Sequence, residues 1–156
     1  MSNFAIAELL EDLKSPEKSV RDRATHNLWH IWFQQKGVTG LKTIRQAQEL
    51  TDNGDYAQAE ETLTRLVRYQ PDFAEAWNRR AILSYLLGNY RKAIADCEMV
   101  VKLNPVHFGA LHGLGLCHAA VGDYIQAIQI FHRALAIQPY SLENQRLILE
   151  CTVRLS

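Results

Sequence analysis

Residues 88–105 read Gly88-Asn-Tyr-Arg-Lys-Ala-Ile-Ala-Asp-Cys-Glu-Met-Val-Val-Lys-Leu-Asn-Pro105, and their skeleton recurs 34 residues before and 34 residues after. Gly54, Gly88 and Gly122 share one register, as do Tyr56, Tyr90 and Tyr124, then Ala59, Ala93 and Ala127, then Pro71, Pro105 and Pro139. Such a period marks a stacked repeat, and each column has a mechanical meaning. Glycine after the apolar run Ala81-Ile-Leu-Ser-Tyr-Leu-Leu87 suits the left-handed backbone at a helix end. Asp55, Asn89 and Asp123 follow as expected N-caps of a second helix. Tyrosine and alanine three residues apart let a neighbouring helix approach at the methyl while the ring covers the joint. Proline then stops the helix, because it disfavours helical geometry in the residue before it. Asp72 and Ser141 are expected to cap the helices that follow.

Every repeat is therefore expected to be a pair of helices. The second helices carry one apolar face, with Ala93, Cys97, Val100 and Val101 in one repeat and Ala127, Phe131, Ala134 and Leu135 in the next. At about 1.5–3 kcal/mol per fully buried large aliphatic side chain, one helix pair does not offset its ordering entropy, so the pairs must stack.

Composition narrows the function classes. The 156 residues hold 17 Lys plus Arg and 17 Asp plus Glu, a formal net charge of zero, with no basic run of the kind that nucleic-acid binding needs. Cys97, Cys117 and Cys151 are far apart and show no zinc spacing, so they are expected to be buried reduced thiols. The segment Met1-Ser-Asn-Phe-Ala-Ile-Ala-Glu-Leu-Leu-Glu-Asp12 has acids where a secretory signal would be apolar, and no uncharged run of membrane-spanning length occurs. A cytoplasmic protein is the expectation, although a mature organellar one would read the same.

Over residues 40–141 the chain resembles the tetratricopeptide repeat family. The resemblance rests on Ala74-Glu-Ala-Trp77, Ala81, Gly88-Asn-Tyr90, Ala93 and Pro105, and on Leu111, Leu114-Gly115, Gly122-Asp-Tyr124, Ala127, Ala134 and Pro139. It departs at Thr43 and Gln46, where bulky apolar residues are usual. It implies an all-α, right-handed superhelical solenoid with repeats at 40–73, 74–107 and 108–141, and a capping helix at 142–156 carrying Leu147, Ile148, Cys151 and Leu155 on one side. Residues 1–39 read as a helical hairpin broken at Ser15-Pro16, with Ser15 as cap. Leu10-Glu-Asp-Leu13-Lys-Ser15, Val20-Arg21 and Ala24 are similar to one HEAT repeat, expected at the open end of the stack. Trp29, Trp32 and Phe33 would then seal its joint with the first repeat, and only secondarily form a second docking surface.

The resemblance also implies a concave groove. If Trp77, Ala81 and Ser84 face the second helix, the adjacent stripe is Asn78, Ile82 and Tyr85, with Arg45 and Arg79 at the margin. Its counterparts are Ile44, Gln48 and Thr51 in the first repeat and His112, Leu116 and Ala119 in the third. This apolar and neutral-polar wall suits a peptide or helix with apolar anchors. The alternative occupants are the C-terminal helix and a second copy of the chain. The donors with which relatives grip a chaperone's terminal carboxylate are mostly missing, since Ile44, Gln48, Gly109 and Gly113 stand in their places beside Arg79.

No cofactor or metal is expected. His112 and His118 are about 240° apart on a helix, with His107 and Cys117 no better placed, and the pair His26 and His30 lacks a third ligand. No serine, cysteine or histidine sits in a catalytic string, so enzyme activity is not expected. Arg80 reads as a snorkelling side chain. The reading is a non-enzymatic adaptor for one protein partner. Its alternatives are an assembly factor for a multi-subunit complex, membrane-bound complexes included, and a self-associating structural protein.

Overall fold

The structure, a computed structural model, describes residues 3–156, which form helices α1 (Asn3–Asp12), α2 (Lys18–Phe33), α3 (Gly37–Asp52), α4 (Tyr56–Tyr69), α5 (Ala74–Leu86), α6 (Tyr90–Leu103), α7 (Phe108–Ala120), α8 (Tyr124–Ile137) and α9 (Leu142–Arg154). No strand occurs among the described residues, and no helix there is long and apolar enough to cross a membrane. The pairs α3–α4, α5–α6 and α7–α8 stack into an all-α solenoid, and α9 packs on α8.

The glycine column acts as the sequence indicates. Gly54, Gly88 and Gly122 have φ of 80°, 79° and 83°, in the left-handed region. There the next residue's N–H reaches back to close the helix, as in Asn89 N–H to the Ser84 carbonyl at 2.8 Å. The capping column acts only in part. Asp123 accepts from Gln126 N–H at 3.4 Å and Ser141 from Asn144 N–H at 3.2 Å, but neither Asp55 nor Asn89 makes a side-chain cap bond. Asp72 is not a cap either, because Phe73 holds that position and Asp72 instead takes Lys36 at 2.6 Å, joining the start of α3 to the α4–α5 turn. At the second helix the cap is Glu17 rather than Ser15.

The N-terminal hairpin departs most from expectation. It does not extend the stack at its open end. Helix α2 instead lies across the N-terminal ends of α9, α7 and α5, running against the order of the repeats. Arg21 stands 4.2 Å above the Tyr140 ring just before α9. Trp32 stacks on His107 at 4.5 Å and Trp29 meets Phe108 edge-on at 5.5 Å at the start of α7. Phe33 packs beside Ile44, Leu66, Val67, Phe73 and Ala76. Leu13, Ala24, Leu28, Trp32 and Phe108 form one buried cluster between the hairpin and the third repeat. Trp29 and Trp32 therefore join the hairpin to the third repeat, and only Phe33 reaches the first. Room for this comes from Gly109, where any Cβ would lie 2.5 Å from the Trp29 ring.

Candidate functional site

Where α2 diverges from α3, a pocket of about 420 Å³ opens on the inner wall. His26, Trp29, His30 and Phe33 line it from α2, Leu41, Ile44, Arg45 and Gln48 from α3, and Arg79 from α5. Its floor is apolar and its mouth is basic. The Arg79 guanidinium lies 4.6 Å over the Phe33 ring while its Nε donates to Glu75 Oε1 at 3.0 Å. Arg45 is exposed, and among the described residues it has no ion-pair partner and no carboxylate lines the pocket. Gln48 is held at the rim by Asp52, its Nε2 donating to Oδ1 at 2.8 Å.

Behind this wall sits a buried polar cluster. Glu75 is 1% exposed, a costly place for a carboxylate unless every lone pair finds a donor. Its Oε1 accepts from Asn78 Nδ2 at 3.0 Å as well as from Arg79, and its Oε2 lies 2.9 Å from His107 Nε2. His107 Nδ1 accepts the Ala110 N–H at 3.0 Å, which leaves Nε2 as the donor to Glu75. The cluster fixes the start of α5 to the start of α7, and Trp32 covers it.

The ten residues of the expected groove are dispersed by this arrangement. Ile44, Gln48 and Arg79 meet at the pocket, and Ile82, 42% exposed, continues the open wall along α5. Asn78 is buried on Glu75, Tyr85 packs into the core between α5 and α8, and the Thr51 hydroxyl donates to the Ala47 carbonyl. Burial pushes the Tyr85 phenol up from its ordinary value. In the third repeat, His112 Nδ1 pairs with Asn144 Oδ1 at 2.7 Å, while Leu116 and Ala119 pack with Phe131, Leu147, Ile148 and Cys151. Helix α9 thus covers that section of the wall, as one of the alternative occupants would.

The sequence reading set Arg45 only at the margin of the groove, weighed His26 and His30 only as an incomplete metal pair, gave Trp29 and Phe33 chiefly a sealing role, and did not single out Leu41. The aromatic density at 29–33 was the available signal, but it carried no indication of which repeat it faces. Glu75 also went unnoticed, although an acid inside the small-residue run Ala74-Glu-Ala76 hints at a backbone-close, buried position. Arg80 does not snorkel. It makes a two-pronged pair with Asp96, at 2.8 and 2.9 Å, which raises its pKa further. Among the described residues no three histidine, cysteine or acidic side chains are grouped to hold a metal.

A stack of antiparallel helix pairs with a lined inner wall defines a helical-repeat solenoid. The chain belongs to the tetratricopeptide repeat family, whose profile matches residues 44–105 and 87–141. It is similar to a TPR repeat-containing protein of Rhizobium etli, 40% identical over 133 residues that cover 85% of this chain and 65% of that one. It is also similar to the human protein SGT1 homolog, 35% identical over 94 residues, 60% of this chain and 26% of that one. The chain thus spans slightly under two thirds of the first relative and about a quarter of the second. Among solved structures, the first TPR of Spaghetti (RPAP3) bound to the HSP90 peptide SRMEEVD superposes with a TM-score of 0.71 at 21% identity, over 74% of this chain and 91% of that one. The TPR2B domain of yeast Sti1, in its complex with pHsp70, gives 0.65 at 20% identity, over 72% and 98%.

Proposed function

We propose that this protein is a non-catalytic adaptor that holds a peptide or helix of one partner protein on its inner wall, with the pocket between α2, α3 and α5 as the anchoring point. The observation that carries the reading is the pairing of an aromatic and aliphatic floor with the unpaired Arg45 and the Gln48 and Arg79 side chains at its mouth. An apolar anchor with a few hydrogen bonds around it is how grooves of this kind recognise short segments. The peptide complexes of the structurally similar Spaghetti and Sti1 domains support it as fold-level analogies. Ile82 extends the proposed contact along α5.

The test is capture of a partner from the native cell by the wild-type chain and by a double variant, Arg45→Glu with Gln48→Ala. Both positions are exposed, so the melting temperature should stay within about 2 °C, a surface-substitution effect. Capture should fall at least tenfold, and a captured partner that the double variant retains fully removes this pocket from the proposal.

A further inference from the structure

Helix α9 buries one face, where Asn144 and Cys151 are inaccessible and Leu147 and Ile148 pack on α8. Its opposite face carries Leu142, Leu149 and Val153, which are 77, 67 and 70% exposed. Spaced by seven and four residues, they align within about 40° on a helix of 100° per residue. Helix α9 is the last of the described helices, and an outer side without a neighbour is normally polar. This one is not. Two repeat periods earlier, the same positions are Ala74, Ala81 and Tyr85 of α5, which pack against α6 and α7. The stripe is therefore the face with which the other inner helices receive their neighbours, and no described helix covers it.

The charges beside the stripe indicate what does. Glu143, Arg146, Glu150 and Arg154 all lie along one edge of it, with Arg146 paired to both Glu143 and Glu150 within the helix. Their order, acid–base–acid–base, is complementary to itself when read backwards. Two such helices placed face to face and antiparallel bring their charged edges to the same side, whereas a parallel pairing sends them to opposite sides.

We propose that a second copy of this chain occupies the face, with α9 against α9, antiparallel, about a twofold axis near residue 148. Leu142 then meets Val153 of the second copy, Leu149 packs beside its own counterpart, Glu143 faces Arg154 and Arg146 faces Glu150. Each contact is made twice, as an isologous interface requires. One helix pair sits at the small end of specific interfaces, so the dimer is a weak one, with a Kd of about 1–100 µM. The surface is separate from the α2–α3–α5 pocket, and neither proposal depends on the other.

Sedimentation equilibrium of the whole chain from about 1 to about 500 µM brackets that range. The expected result is a weight-average mass rising from one chain to two. Leu149→Glu, which sets two carboxylates at the axis, should leave a monomer throughout with unchanged circular dichroism. Arg146→Glu should weaken the dimer about tenfold, and Arg146→Glu with Glu150→Arg in the same chain should restore it, since the reversed pairs again match. A wild-type chain that stays monomeric at the highest concentration overturns the proposal. So does a dimer that survives Leu149→Glu, or one that the double reversal fails to restore.

Discussion

Replacing Gly109 by alanine asks directly whether α2 lies across the inner helix ends. The new Cβ would stand 2.5 Å from Trp29 Cη2, 2.8 Å from Cζ2 and 3.2 Å from His107 Cε1. The indole has little freedom to yield, being wedged edge-on to Trp32 at 5.5 Å, to His107 at 5.2 Å and to Phe108 at 5.5 Å. Overpacking of this kind costs about 1–3 kcal/mol. Alanine's helical advantage over glycine is about 1 kcal/mol in a helix interior and less at the second residue of α7, so the steric cost wins. Gly113, one turn on, provides the internal reference, because its added Cβ meets only Cys97 Sγ at an ordinary 3.7 Å. Gly113→Ala should thus stabilise by about 1 kcal/mol and Gly109→Ala destabilise by about 1–2 kcal/mol. At about 2–4 °C per kcal/mol for a chain of this length, the two melting temperatures move in opposite directions and are easily separated. Urea unfolding followed by circular dichroism and tryptophan fluorescence gives both values. In a Trp29→Ala background the Gly109→Ala penalty should vanish, a coupling that a double-mutant cycle reads out. Two glycine replacements that both stabilise, or a penalty indifferent to Trp29, would refute the placement of the hairpin.

Two further outcomes follow from buried groups. Glu75→Ala removes the acceptor of Asn78, Arg79 and His107 in a site with no water access and should cost about 3–5 kcal/mol, whereas Glu75→Gln, which keeps one oxygen acceptor, should cost clearly less; urea midpoints of the two variants decide. The Cys97 thiol is pushed up by its hydrogen bond with Cys117 and by burial, and the Cys151 thiol by burial, so each holds less thiolate at a given pH than a free cysteine. The same hydrogen bond pushes the Cys117 thiol down instead, but Cys117 is buried like the other two, so access rather than thiolate content protects it. Iodoacetamide at about pH 8 should label the unfolded chain rapidly and leave the native chain's three thiols intact, with mass spectrometry as the readout; a fast-reacting native thiol would contradict this.

The repeat part of the fold was legible because its signals are local. A glycine that must take φ near 80° and a proline that must end a helix announce themselves within a few residues, and a fixed period multiplies the evidence. The helices of the hairpin were legible but its placement was not, because residues 1–39 stand outside the period and the Trp29–Trp32–Phe33 stripe only says that something aromatic is covered. What it covers depends on His107-Phe108-Gly109, about eighty residues later in the chain. The Glu75–His107 pair fails the same way, since each residue alone reads as a surface type and only the stacking of two repeats brings them within 2.9 Å. Reading the groove by analogy between repeats had the matching weakness. It treats three equivalent stripes as equally open, although α9 covers the third and Glu75 draws Asn78 of the second inward.

The position of α2 also determines whether it is a wall or a removable lid. Leu13, Leu28 and Trp32 are essentially buried in the cluster that the hairpin shares with the third repeat, and at about 1.5–3 kcal/mol each, part of it from contacts inside the hairpin, they hold it by up to about 5–9 kcal/mol. A peptide bound at about 1 µM brings about 8 kcal/mol in total. Displacing the hairpin would consume nearly all of that, so a partner of ordinary affinity must bind beside α2 rather than beneath it. The space left beside it is about 420 Å³, toward the lower end of the about 300–1,000 Å³ typical of ligand pockets, while a whole helix is about 10–12 Å across. Under the proposed function the pocket would select for one protruding apolar side chain with a hydrogen-bonding or anionic neighbour, and the rest of the bound segment would lie on the open stretch of α5 around Ile82.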